Sequence, residues 1–311
     1  MQTMAWTRYK TLSSIFIGLS LAYLLLAALL PVDKVTLQKY HLSPTAGTAL
    51  TLTIAIPYLI IWLIAMVGYA RFQWYTDTIA DSKDGKAFKI IAKGVLLMAL
   101  WLPLSTVIST LASYYFRVHP GATVVMTNLI NYSNLIILFI AFWWTNQGSQ
   151  RLLSIVRKFD PRSSQWLIMA FLGFAALYTY LVLQDPARRH PTAMVTTATY
   201  YLPDWVIITT VVIPRLIMWF LGLQAVYNLR LYRKKVRGKI YKEGLRQVTW
   251  GIGCIIGISV ILRCLQSLSP ELNSWSLGLL LLIVYLLLLS VSLGYLLLAR
   301  GARKLQLIEE I

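Results

Sequence analysis

The sequence predicts an all-α fold: a polytopic transmembrane bundle of about eight helices, built as two parallel four-helix repeats. Three observations predict it. Of 311 residues, 58% are hydrophobic and 13% charged, with mean hydropathy +0.66; a soluble domain is nearer roughly 45–50% apolar and 25% charged. Eight apolar runs approach the ~20 residues that a spanning helix needs. A seven-residue motif recurs at corresponding places in the two halves.

The first run, Leu12–Leu30, follows Arg8 and Lys10. At about 19 residues it exceeds a signal-peptide core, and Pro31 and Val32 follow without a small-x-small cleavage site, so it reads as a retained helix. The second run is Gly47–Ala70, the third Phe88–Tyr114 and the fourth Ala122–Trp144. Trp166–Leu183, Trp205–Leu229, Val248–Leu268 and Trp275–Leu298 complete the set. No segment between them is long enough for a soluble domain. Cys254 and Cys264 share the seventh run. Ten residues of helix separate them by about 15 Å, too far for a disulfide, so they read as inert buried thiols.

Lys and Arg set the orientation. With the N-terminus inside, the inner segments hold 22 of the 29, eight of them between Arg230 and Arg246. The outer segments hold Lys34, Lys39, Arg117, Arg188 and Arg189. This asymmetry predicts a multi-pass protein of an inner (cytoplasmic) membrane with both termini in the cytoplasm. It also accounts for the net charge of +18 without nucleic acid, since no basic soluble domain exists to bind it. The expected partners are membrane lipids, with anionic headgroups at the cytoplasmic face. Tyr114, Tyr115, Trp205 and Trp275 mark outer helix ends; Trp74, Trp143, Trp144 and Tyr232 mark inner ones.

The repeated motif is Ile56-Pro-Tyr-Leu-Ile-Ile-Trp62 in the second run and Ile213-Pro-Arg-Leu-Ile-Met-Trp219 in the sixth. Thr53 matches Thr210, and Tyr75 matches Tyr232. Farther on, Asp84-Gly85 aligns with Glu243-Gly244, and Gly94 with Gly253. Residues 1–160 therefore read as one four-helix repeat. Residues 161–311 read as the second, with a short cytoplasmic C-terminal helix. An even number of helices per copy makes the copies parallel. Pro57, Pro103 and Pro214 each remove a backbone hydrogen bond and are expected to kink their helices.

The chemistry is sparse. No carboxylate lies in a predicted membrane core, so carboxylate-based proton coupling and aspartyl proteolysis have no candidate pair. His41, His119 and His190 fall in outer loops, and no cluster suggests a metal or cofactor. Gly253-Cys-Ile-Ile-Gly257 is a helix-packing pattern. Arg215 is the exception. It lies roughly 16 Å into its helix, near the bilayer midplane, where a charge is a functional candidate by default. It stands where the first half has Tyr58. Asn131 and Asn134 share a face of the fourth run with Asn128; Ser105 and Tyr285 lie at similar depth. Together Arg215, Tyr58, Asn131, Asn134, Ser105 and Tyr285 form a candidate pocket for an anionic or carbonyl-rich ligand. The competing expectation is structural: Arg215 bonds the carbonyl freed by Pro214, and the asparagines bind helices together.

Leu305, Leu307, Ile308 and Ile311 line one face of the C-terminal helix, which suggests docking on a protein partner or on the chain's own loops. The functional expectation is a non-catalytic membrane protein, binding lipid or a small ligand or serving as a scaffold or sensor module. The alternative is a transporter or channel for a small anionic or polar solute. An intramembrane enzyme would have to rely on His119 and Asp204.

Overall fold

A computed structural model describes residues 2–29, 43–118, 123–156, 169–171, 173, 213–268 and 277–307. Among them there is no strand. Seven long helices follow in order: α1 Gln2–Leu29, α2 Pro44–Thr78, α3 Lys83–Val118, α4 Thr123–Val156, α5 Ile213–Lys235, α6 Lys239–Leu268 and α7 Leu277–Gln306. The fold is all-α, as predicted. The run Trp166–Leu183 lies almost wholly outside the described residues, as do the three histidines and Asp204. By length and composition, α2 qualifies as a membrane-crossing helix.

The helices are longer than the apolar runs. α2 has 35 residues, about 52 Å at 1.5 Å per residue, whereas a hydrocarbon core is about 30 Å. Its polar last turns stay helical through i,i+4 side-chain pairs. Tyr69 Oη donates to Gln73 Oε1 at 3.0 Å, and Gln73 Nε2 donates to Asp77 Oδ1 at 2.9 Å. Ser43 caps the start of α2, accepting from Ala46 N at 3.2 Å, with Pro44 in the first turn. Ser82 caps α3, accepting from Gly85 N at 2.8 Å. Gly85 is required there because a Cβ would collide with the Ile79 carbonyl. The α5–α6 turn uses Gly238 at φ +93°.

Two antiparallel helix pairs approach backbone to backbone. In α3 and α4 the contact positions are Ala87 and Gly94 against Ala141 and Gly148. In α6 and α7 they are Gly244 and Gly251 against Gly294 and Gly301. A Cβ on Gly94 would stand 2.5 Å from Ala141 O, and one on Gly251 2.6 Å from Gly294 O. Each pair thus repeats small residues seven apart, two turns of helix, which keeps them on one seam. Gly94 and Gly251 each meet a backbone carbonyl of the partner helix, whereas among the described residues Gly253 meets only Val226, at 3.7 Å, and Gly257 has nothing within 4 Å. Among the described residues the Gly253–Gly257 pattern is therefore not the close contact. The seven-residue spacing fits antiparallel partners better than a four-residue one.

Between these pairs, α4 packs on α5 and α7 packs on α2; α1 rests on α2 and α3. A Cβ on Gly68 of α2 would lie 2.7 Å from Tyr295 O of α7. The end of α7 docks on the chain itself. Leu305 is fully buried, over Gly244 of α6. Glu243 takes Arg246 at 2.7 Å and Lys304 at 3.5 Å. Desolvation raises its carboxyl, but the two cations together outweigh that and hold it below its usual range. Leu305 is therefore not part of an exposed docking face; of that face's described residues, Leu307 alone faces out. Ile308 and Ile311 lie outside the described residues.

The outward faces change character abruptly. On α2, Ile56, Ile60, Leu63 and Val67 give way to Arg71 and Trp74. On α5, Leu216, Phe220 and Leu223 give way to Tyr227, Arg230 and Lys234. On α7, Leu282, Leu286, Leu289, Leu293 and Leu296 give way to Arg300 and Arg303. All of these side chains are exposed. Their steps of three and four draw one stripe along each helix.

Candidate functional site

Polar side chains gather at two levels. The first is the level of Pro57. A proline at position 57 cannot bond the carbonyl of Thr53, one turn earlier. Tyr285 of α7 supplies the missing donor: its hydroxyl gives a 3.0 Å hydrogen bond to Thr53 O. Beside it, Tyr23 of α1 and Tyr58 and Trp62 of α2 form an aromatic cluster, with centroids 5.3 Å apart for Tyr23–Trp62 and 6.3 Å for Tyr58–Trp62. Trp62 is fully buried, and its indole N–H has no acceptor among the described residues. In α5, Pro214 is buried, Arg215 half-buried, and the Trp219 indole N–H is again buried without an acceptor. Arg215 and Trp219 are four apart and share a helix face, as do Tyr58 and Trp62.

Of the six residues expected to line a pocket, Tyr58 of α2 and Tyr285 of α7 stand near Pro57, and Arg215 follows Pro214 in α5. Tyr285 has a structural task on α2. The side chains of Asn131, Asn134 and Ser105 lie outside the described residues. Tyr285→Phe should cost about 1 kcal/mol by leaving the Thr53 carbonyl without its donor. A drop in thermal unfolding temperature checks this, and an unchanged melt would show that the carbonyl finds another partner.

The second level, nearer the basic helix ends, escaped sequence reasoning. Asn146 and Ser149 of α4 and Asn228 of α5 are buried. Asn146 Nδ2 donates to Gln224 Oε1 at 3.0 Å. Asn228 Nδ2 donates to Ser149 Oγ at 3.2 Å and to Asn146 Oδ1 at 3.4 Å. One turn beyond, the buried Tyr232 donates its hydroxyl proton to Asp84 Oδ2 at 2.6 Å, joining α5 to the start of α3. Burial, then Tyr241 and then Asp84, push the Tyr232 phenol far above its ordinary range. It therefore remains a neutral donor. The available signal was Gln224 and Asn228 at i,i+4 in an apolar helix, matched by Asn146 and Ser149 at i,i+3.

The chain matches no protein-family model, and no curated protein or solved structure is significantly similar to it. Function therefore rests on these two levels. Their groups are amides, hydroxyls, indoles, one guanidinium and the Asp84 carboxylate, which can bind and orient. Among the described residues, no three His, Cys, Asp or Glu side chains converge as metal ligands.

Proposed function

We propose that the chain is a multi-pass protein of an inner membrane, made of two parallel four-helix copies, that binds lipid or a small ligand rather than catalysing a reaction. Membrane spanning is supported by the apolar stripes on α2, α5 and α7, each stopping at Arg, with Trp74 beside it on α2 and Tyr227 on α5. Water would not tolerate so continuous an apolar coat, whereas a bilayer with its headgroup boundary at Arg71, Arg230 and Arg300 accommodates it. Duplication is supported by packing and register together. A shift of 157 carries Pro57 to Pro214, Trp62 to Trp219, Tyr75 to Tyr232 and Gly94 to Gly251. A shift of 153 carries Tyr132 to Tyr285, Gly148 to Gly301 and Leu152 to Leu305. The contact of α4 with α5 then corresponds to that of α7 with α2.

The observation that carries ligand binding is the α5 face of Arg215 and Trp219 beside Pro214. A cation and a buried indole donor without an acceptor lie one turn apart at midplane depth. Such a face suits an anionic or carbonyl-bearing ligand. Anionic headgroups at the basic end are the second lipid contact.

Native mass spectrometry on protein released directly from its membrane tests this reading, with Arg215→Gln alongside. The chain is expected to resist alkaline carbonate extraction and to carry a defined small adduct, which the variant loses. An adduct on both proteins would displace the site from Arg215. Wild type carrying a stoichiometric protein partner and no adduct would favour a scaffold. A transporter for a small anionic or polar solute is the second reading, favoured by Pro57 inside α2 and Pro214 in the first turn of α5, at matching places in the repeated motif. It predicts solute uptake into proteoliposomes that Arg215→Gln abolishes.

A further inference from the structure

Close backbone approach joins helices within each copy and one of the two helix pairs described between copies. Inside a copy, α3 against α4 and α6 against α7 meet through glycines and alanines, backbone on backbone. Such seams have no slack and hold each helix pair as one body. Among the described residues two main seams join the copies, and they are unlike. The α2–α7 seam is a close backbone contact at Gly68 and Tyr295, with Tyr285 on the Thr53 carbonyl farther along. The α4–α5 seam is hydrogen-bonded through Asn146, Ser149, Gln224 and Asn228. The positions matching these four by register are Ala299, Ala302, Val67 and Arg71. The polar set thus belongs to one seam only, and Tyr232 on Asp84 closes that same side at the basic end.

From this we infer that the α4–α5 seam is a latch and the α2–α7 seam its hinge. The copies part at the basic end by exchanging the amide, hydroxyl and Tyr232–Asp84 hydrogen bonds for bonds to water, while Gly68 stays against Tyr295. Amide and phenol hydrogen bonds lose little net free energy when water replaces the partner. An interlocked backbone contact has no such substitute. The structure is the closed state, and its opening would connect the Arg215 level with the cytoplasm. The inference rests on the two-copy membrane reading and supplies it with a route for the ligand.

The test uses the full chain in inside-out vesicles, with Cys254→Ala and Cys264→Ala as background. A single cysteine is placed in α5 between Gln224 and Asn228 by Ala225→Cys or in α7 by Ala299→Cys, both buried positions. Labelling is followed with a charged, membrane-impermeant thiol reagent. Tyr232→Phe, which removes one oxygen, should speed labelling at 225 about tenfold, the worth of one charge-assisted hydrogen bond. Labelling at 299 should not change. Asp84→Asn, which keeps an acceptor, should have a smaller effect at 225. Equal acceleration at both sites would mean a generally loosened fold and would overturn the hinge. No acceleration at 225, even with Asn228→Ala added to Tyr232→Phe, would overturn the latch. A chain that alkaline carbonate extracts would instead sink the membrane reading, and the latch with it.

Discussion

Replacing Gly251 by leucine is expected to cost about 3 kcal/mol of stability, at the upper end for overpacking a closed core. A Cβ at Gly251 would meet Gly294 O at 2.6 Å and Leu298 N at 2.9 Å. Both are backbone atoms of α7, so no rotamer change relieves the clash. The helices would have to separate along the whole Gly244–Gly301 seam, dislodging Leu305 from its place over Gly244. Gly257→Leu in the same helix is the matched control. Nothing lies within 4 Å of that position, so its effect should stay within about 0.5 kcal/mol. Thermal unfolding in detergent, followed by helical circular dichroism, separates the two. Equal losses would mean that helix context, rather than close approach, explains the glycines.

Asn146→Leu should cost about 2 kcal/mol, although leucine is close to asparagine in size. Asn146 is fully buried and serves as donor to Gln224 and acceptor from Asn228. An apolar replacement leaves the Gln224 oxygen without that donor in a dry seam. The double variant Asn146→Leu/Asn228→Leu should lose less than the sum of the single losses, because the second change removes a group already stranded. Strict additivity in the same melts would show that the two asparagines act independently.

The sequence reveals the long helices well, since composition and run length decide them. It misjudges their ends. Arg71–Thr78 reads as loop, yet side-chain pairs from Tyr69 through Gln73 to Asp77 continue α2 for two more turns. It also does not show which glycines meet a partner helix. Gly94 and Gly253 share a count from the Asp84-Gly85 and Glu243-Gly244 pairs, but it is Gly94 and Gly251 that approach a backbone carbonyl of the neighbouring helix. Of the candidate site, Arg215 and the two prolines were legible from charge and position in an apolar run. The task of Tyr285 was not, because its partner is a backbone carbonyl 232 residues away in sequence.

Composition, apolar run length, Lys and Arg asymmetry and the Pro-x-x-x-x-Trp recurrence are local or statistical properties of the chain. By themselves they determined an all-helical fold and its long helices. Tertiary structure alone decided which glycines touch, that Leu305 faces inward, and that Asn146, Ser149, Gln224 and Asn228 meet. The reason is physical: a polar or small residue in an apolar helix is equally compatible with any partner of suitable size. Only the helix crossings, set by where backbones come close enough to exclude a Cβ, select one.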